Sequence, residues 1–156
     1  MTAQDKTGAH AGRASDALTR RPAMTVIVPA HDEGPRIGAC LRALLSSDWS
    51  RPGPVEAIVS ANACRDDTVA RARAEAAAFA ARGWTLRVID RPEPGKPGAL
   101  NAADAEAQGA MRAYLDADVT VSPPLLAQIA EALHPPGPRY ASGRVEITAR
   151  SAVSRA

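Results

Sequence analysis

Met24-Thr25-Val26-Ile27-Val28-Pro29-Ala30-His31-Asp32-Glu33-Gly34 passes from an apolar, β-branched run into a polar turn, and Gly34-Pro35 then opens a helical pattern. Five apolar or β-branched residues in a row have strand length and strand composition. Ile37, Leu41, Leu44 and Leu45 then recur at helical spacing. The same succession repeats downstream. Val55-Glu56-Ala57-Ile58-Val59, Leu86-Arg87-Val88-Ile89 and Met111-Arg112-Ala113-Tyr114-Leu115 read as further strands. Between them Val69, Ala72, Ala76 and Phe79 form one helical stripe, with Asp66 or Asp67 as its cap and Gly83 as its stop. Ala99 to Ala107 and Pro123 to Leu133 read as two more helices. Strands alternating with helices predict an α/β fold: a doubly wound, mainly parallel sheet with helices on both faces. The Pro-rich link at 134–138 ends the last helix, and Tyr140 to Thr148 reads as an additional strand.

Composition narrows the class. A chain of 156 residues, 46% of them hydrophobic, is large enough for one domain with a sizeable core. Residues 1–22, without any apolar period, read as a disordered leader, and 23–156 as the domain. A net charge of +2 and 3% aromatics argue against nucleic acid as a partner. The two cysteines, Cys40 and Cys64, form neither a disulfide framework nor a zinc pattern. They read as small, partly buried apolar residues, and Trp49 and Trp84 as packing anchors. No apolar run reaches the roughly 18 residues of a membrane span, and the N-terminus has no apolar signal core. The expectation is a soluble, cytoplasmic protein.

The polar turns at the strand ends carry the chemistry. Ligands of doubly wound sheets sit beyond the carboxyl ends of the strands, where the strand order reverses. A sheet order of 3-2-1-4 brings Pro29 to Glu33 and Asp116 to Asp118 to one crevice. Asp116-Ala117-Asp118 places two carboxylates at a strand end, where they can address a hard divalent cation and, through it, a diphosphate. The same spacing also serves a pair of solvated turn aspartates. Lys96, one of two lysines in the chain, lies in Gly95-Lys96-Pro97-Gly98-Ala99-Leu100-Asn101 ahead of a helix, a setting suited to phosphate or to a solvated loop. Asn101 can address a sugar or phosphate, or the helix N-terminus. Asp32 and Glu33 favour a helix dipole, and Asp66, Asp67 and Thr68 read first as capping residues. His31 reads as an exposed loop residue able to flank a base.

Four segments together resemble the nucleotide-binding portion of a family-two glycosyltransferase with the A-type, Rossmann-like fold. They are Val26 to Glu33, Asn62 through Asp66-Asp67-Thr68, Gly95 to Asn101, and Leu115-Asp116-Ala117-Asp118, in that order over about residues 24 to 133. The resemblance implies an inverting, metal-dependent transfer from a nucleotide-diphosphate sugar to an acceptor hydroxyl, with Mg²⁺ or Mn²⁺ as cofactor. It implies that Pro29, Ala30, His31 and Glu33 line the nucleoside pocket, that Asn62 lies near the base, and that Lys96 and Asn101 lie near the donor. Asp116 would help hold ribose or metal, and Asp118 would be the metal ligand. His31-Asp32 stands where the family usually has Tyr-Asn, and Ala61-Asn62 where it usually has Asp-Asp. In the family a second half carries the acceptor surface and the general base; after Asp118 this sequence has only Glu131 and Glu146 as carboxylates, and Glu146 is a weak candidate. The resemblance is thus to a donor-binding half, with a non-catalytic nucleotide-sugar-binding module or remnant as the alternative. An uncovered sheet edge there predicts self-association, or a partner that supplies the acceptor half. A sugar nucleotidyltransferase would place a Gly-rich basic loop after the first strand, and a receiver-like domain a lysine at a late strand end; neither is present.

Overall fold

The computed structural model describes residues 21–144 and Glu146. Its sheet has four parallel strands: β1 (Met24–Ala30), β2 (Val55–Asn62), β3 (Thr85–Arg91) and β4 (Met111–Tyr114). The helices are α1 (Gly34–Leu45), α2 (Thr68–Ala74), α3 (Ala76–Ala81), α4 (Lys96–Glu106) and α5 (Leu125–Leu133). The strand order is β3-β2-β1-β4, so the expected reversal lies between β1 and β4. Met24 pairs with both Val55 and Met111, which aligns the strands and gathers their carboxyl ends along one rim.

Every residue of β1 and β2 is buried. Their near-continuous apolar runs suit strands covered on both faces. Met24, Val26, Val28 and Ala30 pack on one side with Ile37, Cys40, Leu41 and Leu44 of α1, Ala72 of α2, Phe79 of α3 and Leu126 and Ala130 of α5. The alternate residues Ile27 and Ile58 pack on the other side with Ala103 of α4, and Leu100 closes over them. The helices on both faces match the architecture read from the sequence. The tryptophans anchor packing: Trp84 lies 6.2 Å from Phe79 between ring centroids, with the Arg82 guanidinium 4.2 Å above its own ring, and Trp49 Nε1 donates to Gly53 O.

The amino ends of the strands are closed by a buried polar network around Glu56. Thr25 Oγ1 donates to Glu56 Oε2 at 2.7 Å, and the Gln108 N–H reaches the same oxygen at 3.0 Å. The Gly109 N–H satisfies Thr25 Oγ1, and the Arg87 guanidinium stands 3.6 Å from Glu56 Oε1. A carboxylate with 2% exposure is tolerable because donors and a counter-charge surround it.

Three local expectations are corrected. The stripe from Val69 to Phe79 is two helices, because the chain tightens at Glu75, whose N–H bonds to Ala72 O and whose carboxylate receives Arg42 from α1. Helix α4 starts at Lys96 rather than Ala99; Gly95, at φ +119°, turns the chain and Pro97 is pre-set for a first helical turn. Tyr140 to Arg144 form no strand, Tyr140 is fully exposed, and β4 offers an edge of only four residues for a further strand to join. The remainder of that segment, apart from Glu146, and residues 1–20 of the leader lie outside the described residues. No helix among the described residues is long and apolar enough to cross a membrane.

Candidate active site

A cavity of about 480 Å³ opens at the carboxyl ends of the strands. Pro29, Ala30, His31 and Glu33 reach it from the end of β1, Asn62 from β2, Lys96 from the start of α4, and Asp116, Ala117 and Asp118 from the turn after β4. Of the candidate site residues, Asn101 alone among those on this rim is absent from the lining; it is exposed further along α4. Glu146 is also absent, and its carboxylate is exposed and paired with Arg144 at 2.8 Å. Ala117 lines it between the two candidate aspartates, and two further lining residues outside the candidate set are Pro94 and Gly95. Their signal was the Pro- and Gly-rich approach to Lys96.

The two arms of the rim carry opposite charge. Lys96 Nζ lies 2.5 Å from Asp116 Oδ1, with both side chains more than half exposed. Such an exposed pair contributes little stability, and its partners are free to exchange for other ions. Asp118 is exposed and has no hydrogen bond or ion pair among the described residues. Beneath this turn Cys40 is fully buried, its Sγ 3.8 Å from Asp116 O. Burial, followed by the nearby charges of Asp118, Asp116 and Glu33, pushes its thiol up to about 12. Cys40 is therefore a neutral packing residue below an electronegative patch, as its sequence setting implied.

The two loops after β1 and β2 brace one another. Asp32 Oδ1 accepts the Arg65 N–H at 2.6 Å and the Asp66 N–H at 3.3 Å. Asp66 answers across the gap: its Oδ2 accepts the Gly34 N–H at 2.9 Å and its Oδ1 the Thr68 N–H at 3.0 Å. Thr68 Oγ1 donates to Asp66 and accepts the Glu33 N–H at 2.8 Å. The bond from the Thr68 hydroxyl, leading over smaller backbone contributions, holds the Asp66 carboxyl below its ordinary value. A Cβ at Gly34 would run into the carboxylates of Asp67 and Asp66, so a side chain there would push Asp66 out of the brace. Side-chain capping of α2 thus comes from Asp66, and Asp67 instead pairs with Arg71 at 2.7 Å.

The carboxylates of this rim fall into two groups that could hold a cation. Ligand atoms of Asp32, Cys64 and Asp66 lie within 4.8 Å of one another. Those carboxylates already hold the backbone amides of the brace, which accounts for their proximity without an ion. Asp116 and Asp118 instead face the cavity, Asp118 wholly uncommitted among the described residues. Two carboxylates without imidazole or thiolate at their tip suit a hard cation.

The sequence matches the family described as Glycosyl transferase family 2 over residues 25–152. The chain belongs to glycosyl transferase family 2. No curated protein sequence matches it. Solved structures of similar fold include S. aureus TarS 1–349 in complex with UDP, with a TM-score of 0.61 at 20% identity. That likeness covers 70% of this chain and 31% of TarS 1–349. The mannosyltransferase PcManGT from Pyrobaculum calidifontis, solved with GDP-Man and Mn2+, is 33% identical with a TM-score of 0.52, over 64% of this chain and 28% of that one. Glucosyl-3-phosphoglycerate synthase from Mycobacterium tuberculosis, solved with Mn2+, UDP and glucosyl-3-phosphoglycerate, is 25% identical with a TM-score of 0.51, over 84% of this chain and 46% of its own. This family-two chain therefore spans less than half the length of each of these three structures.

Proposed function

We propose that the rim cavity binds a nucleotide-diphosphate sugar together with Mg²⁺ or Mn²⁺, as the donor half of an inverting glycosyl transfer to an acceptor hydroxyl. The observation that carries this reading is the convergence of Asp116, Asp118 and Lys96 on one cavity beside the β1 loop. In this reading Asp118 is the metal ligand and Asp116 shares the metal or the ribose. Lys96 leaves Asp116 to meet the diphosphate, and Pro29, Ala30, His31 and Glu33 enclose the nucleoside. When bound, the divalent ion supplies charge neutralisation on the departing diphosphate. The protein's own part is to hold that group in line and to place a second, flexible cation, Lys96, on it. The Mn2+ in two of the similar structures, and their GDP-Man and UDP, support the donor class.

The lining carboxylates are Glu33, Asp116 and Asp118, and Glu33 Oε2 accepts Arg36 at 3.0 Å. With the two aspartates on the metal side, Glu33 paired with Arg36 and His31 on the nucleoside side in this reading, no unpaired carboxylate among the described cavity residues remains to take the acceptor's proton. An unassisted displacement forfeits on the order of 10²–10⁴ in rate. That observation favours, as a second reading, a nucleotide-sugar-binding module without turnover.

Thermal unfolding with uridine- and guanosine-diphosphate sugars, each with Mn²⁺, tests the binding. At a ligand concentration about a hundred times Kd the expected stabilisation is about 2.7 kcal/mol. Asp118→Ala should remove it. No shift with either donor refutes the donor site. Release of nucleoside diphosphate over hours of incubation separates transferase from binding module.

A further inference from the structure

We infer that Asn62 is a positioning residue, which sets Lys96 against the cavity, and not a contact to the nucleobase. This inference rests on the donor-site reading for its ligand, but its geometry stands apart from it. Asn62 ends β2, is 4% exposed, and its side-chain amide is committed at both atoms. Its Nδ2 donates to Ala30 O at 2.8 Å, and its Oδ1 accepts the Gly95 N–H at 3.1 Å. The amide cannot be reversed, because Ala30 O only accepts and the Gly95 N–H only donates. Its main-chain oxygen is engaged as well, 2.6 Å from His31 Nδ1. That carbonyl can only accept, so His31 carries its proton on Nδ1 when neutral.

Asn62 therefore ties the ends of β1 and β2 to the residue immediately before Lys96. Gly95 needs this tether. At φ +119° it occupies backbone space that glycine alone adopts cheaply, and no side chain of its own can hold it there. Helix α4 begins at the next residue, and Lys96 crosses from it to Asp116 at the tip of β4. One line of polar contacts, Ala30 to Asn62 to Gly95, and through Lys96 to Asp116, thus spans the rim from β1 to β4 by way of β2. Asn62 fixes where the lysine stem starts and so which anion its ammonium can reach.

The test joins amide exchange to a double-mutant cycle. In Asn62→Ala the Gly95 amide should exchange about fivefold faster, the loss of one hydrogen bond, with the β1 amides unchanged. Inorganic pyrophosphate with Mn²⁺, a ligand without a base, should bind about fivefold more weakly to Asn62→Ala. In a Lys96→Met background the same substitution should cost nothing further. Uridine and guanosine diphosphate should weaken by the same factor as pyrophosphate. Asn62→Thr, which suits a strand and is too short to bridge both partners, carries the same comparisons if Asn62→Ala does not fold. The inference is overturned by unchanged Gly95 exchange, by equal loss of pyrophosphate with and without Lys96, or by a loss confined to one nucleobase. Failure of the unsubstituted chain to bind pyrophosphate or either diphosphate would strike the donor-site reading alone, and Gly95 exchange would then decide the role of Asn62.

Discussion

The two ends of the sheet solve opposite problems with the same residue types. At the amino end Glu56 is buried and saturated: Thr25, Gln108 and Arg87 converge on it. At the carboxyl end Asp116 and Asp118 are exposed, one paired with an exposed lysine and the other unpaired among the described residues. Among the described residues, the two non-glycine residues with left-handed backbone, Asp32 at φ 51° and Ala63 at φ 49°, also lie at the carboxyl end. One end converts charge into rigidity. The other keeps charge available and holds strained turns around it, as expected where a fold stores cost at a site.

Substitution at each end should separate the two behaviours, most visibly at the closed one. Glu56→Ala leaves the Thr25 hydroxyl and the Gln108 N–H without their acceptor inside the protein. A loss of about 3 kcal/mol is expected, a fall in Tm of about 10 °C by calorimetry. A fall below about 2 °C would mean that the network is not stabilising. Asp118→Ala should do the reverse. Apo Tm stays within about 2 °C of the parent, as for an exposed side chain without partners, while the donor-dependent shift disappears.

How far this contrast is legible in the sequence differs between the ends. The carboxyl rim is readable because its residues come directly after strands that announce themselves. β1 and β2 are covered on both faces, so their runs are apolar apart from a few buried polar residues such as Thr25 and Glu56, and the polar turns after Ala30 and Asn62 stand out. The order β3-β2-β1-β4 then brings those turns together. The Glu56 network had a weaker signal, a lone carboxylate inside Val55-Glu56-Ala57-Ile58-Val59, whose donors lie 31 residues before it and 52 after. The Asp32–Asp66 brace and the Asn62 tether link loops more than 30 residues apart and impose no local period. Tyr140 to Arg144 misled for the converse reason: strand length is a local signal, but a strand also needs an edge to pair with, and this stretch joins neither edge strand, β3 or β4.

The brace gives the carboxyl end an acid limit. The folded-state carboxyl of Asp66 titrates below its unfolded value. Its contribution is therefore complete above the ordinary aspartate range near pH 4 and is lost as the pH falls through the lowered folded value. Stability measured by urea unfolding between about pH 6 and 3 should decline at the acid limb, and Asp66→Asn should flatten that decline. Equal slopes in parent and variant would place the acid sensitivity in other carboxylates.

Ala63 and Asp32 share a backbone conformation but not a reason for it, which makes the smallest effect the most discriminating. A Cβ in left-handed backbone costs about 1–2 kcal/mol, and glycine gives back about 0.4–1 kcal/mol of that through the freer unfolded chain. Ala63 has no polar side chain to recover the cost; its N–H bonds to Arg91 O whatever the side chain. Ala63→Gly should therefore stabilise by about 0.5–1 kcal/mol, a rise of about 2–3 °C in Tm. Asp32→Gly relieves the same backbone but removes the carboxylate that holds the Arg65 and Asp66 amides, so its Tm should fall. If both variants rise, the brace contributes nothing and the strain alone distinguishes this end; if both fall, the left-handed turns are not strained, and the contrast between the two ends of the sheet reduces to their charges.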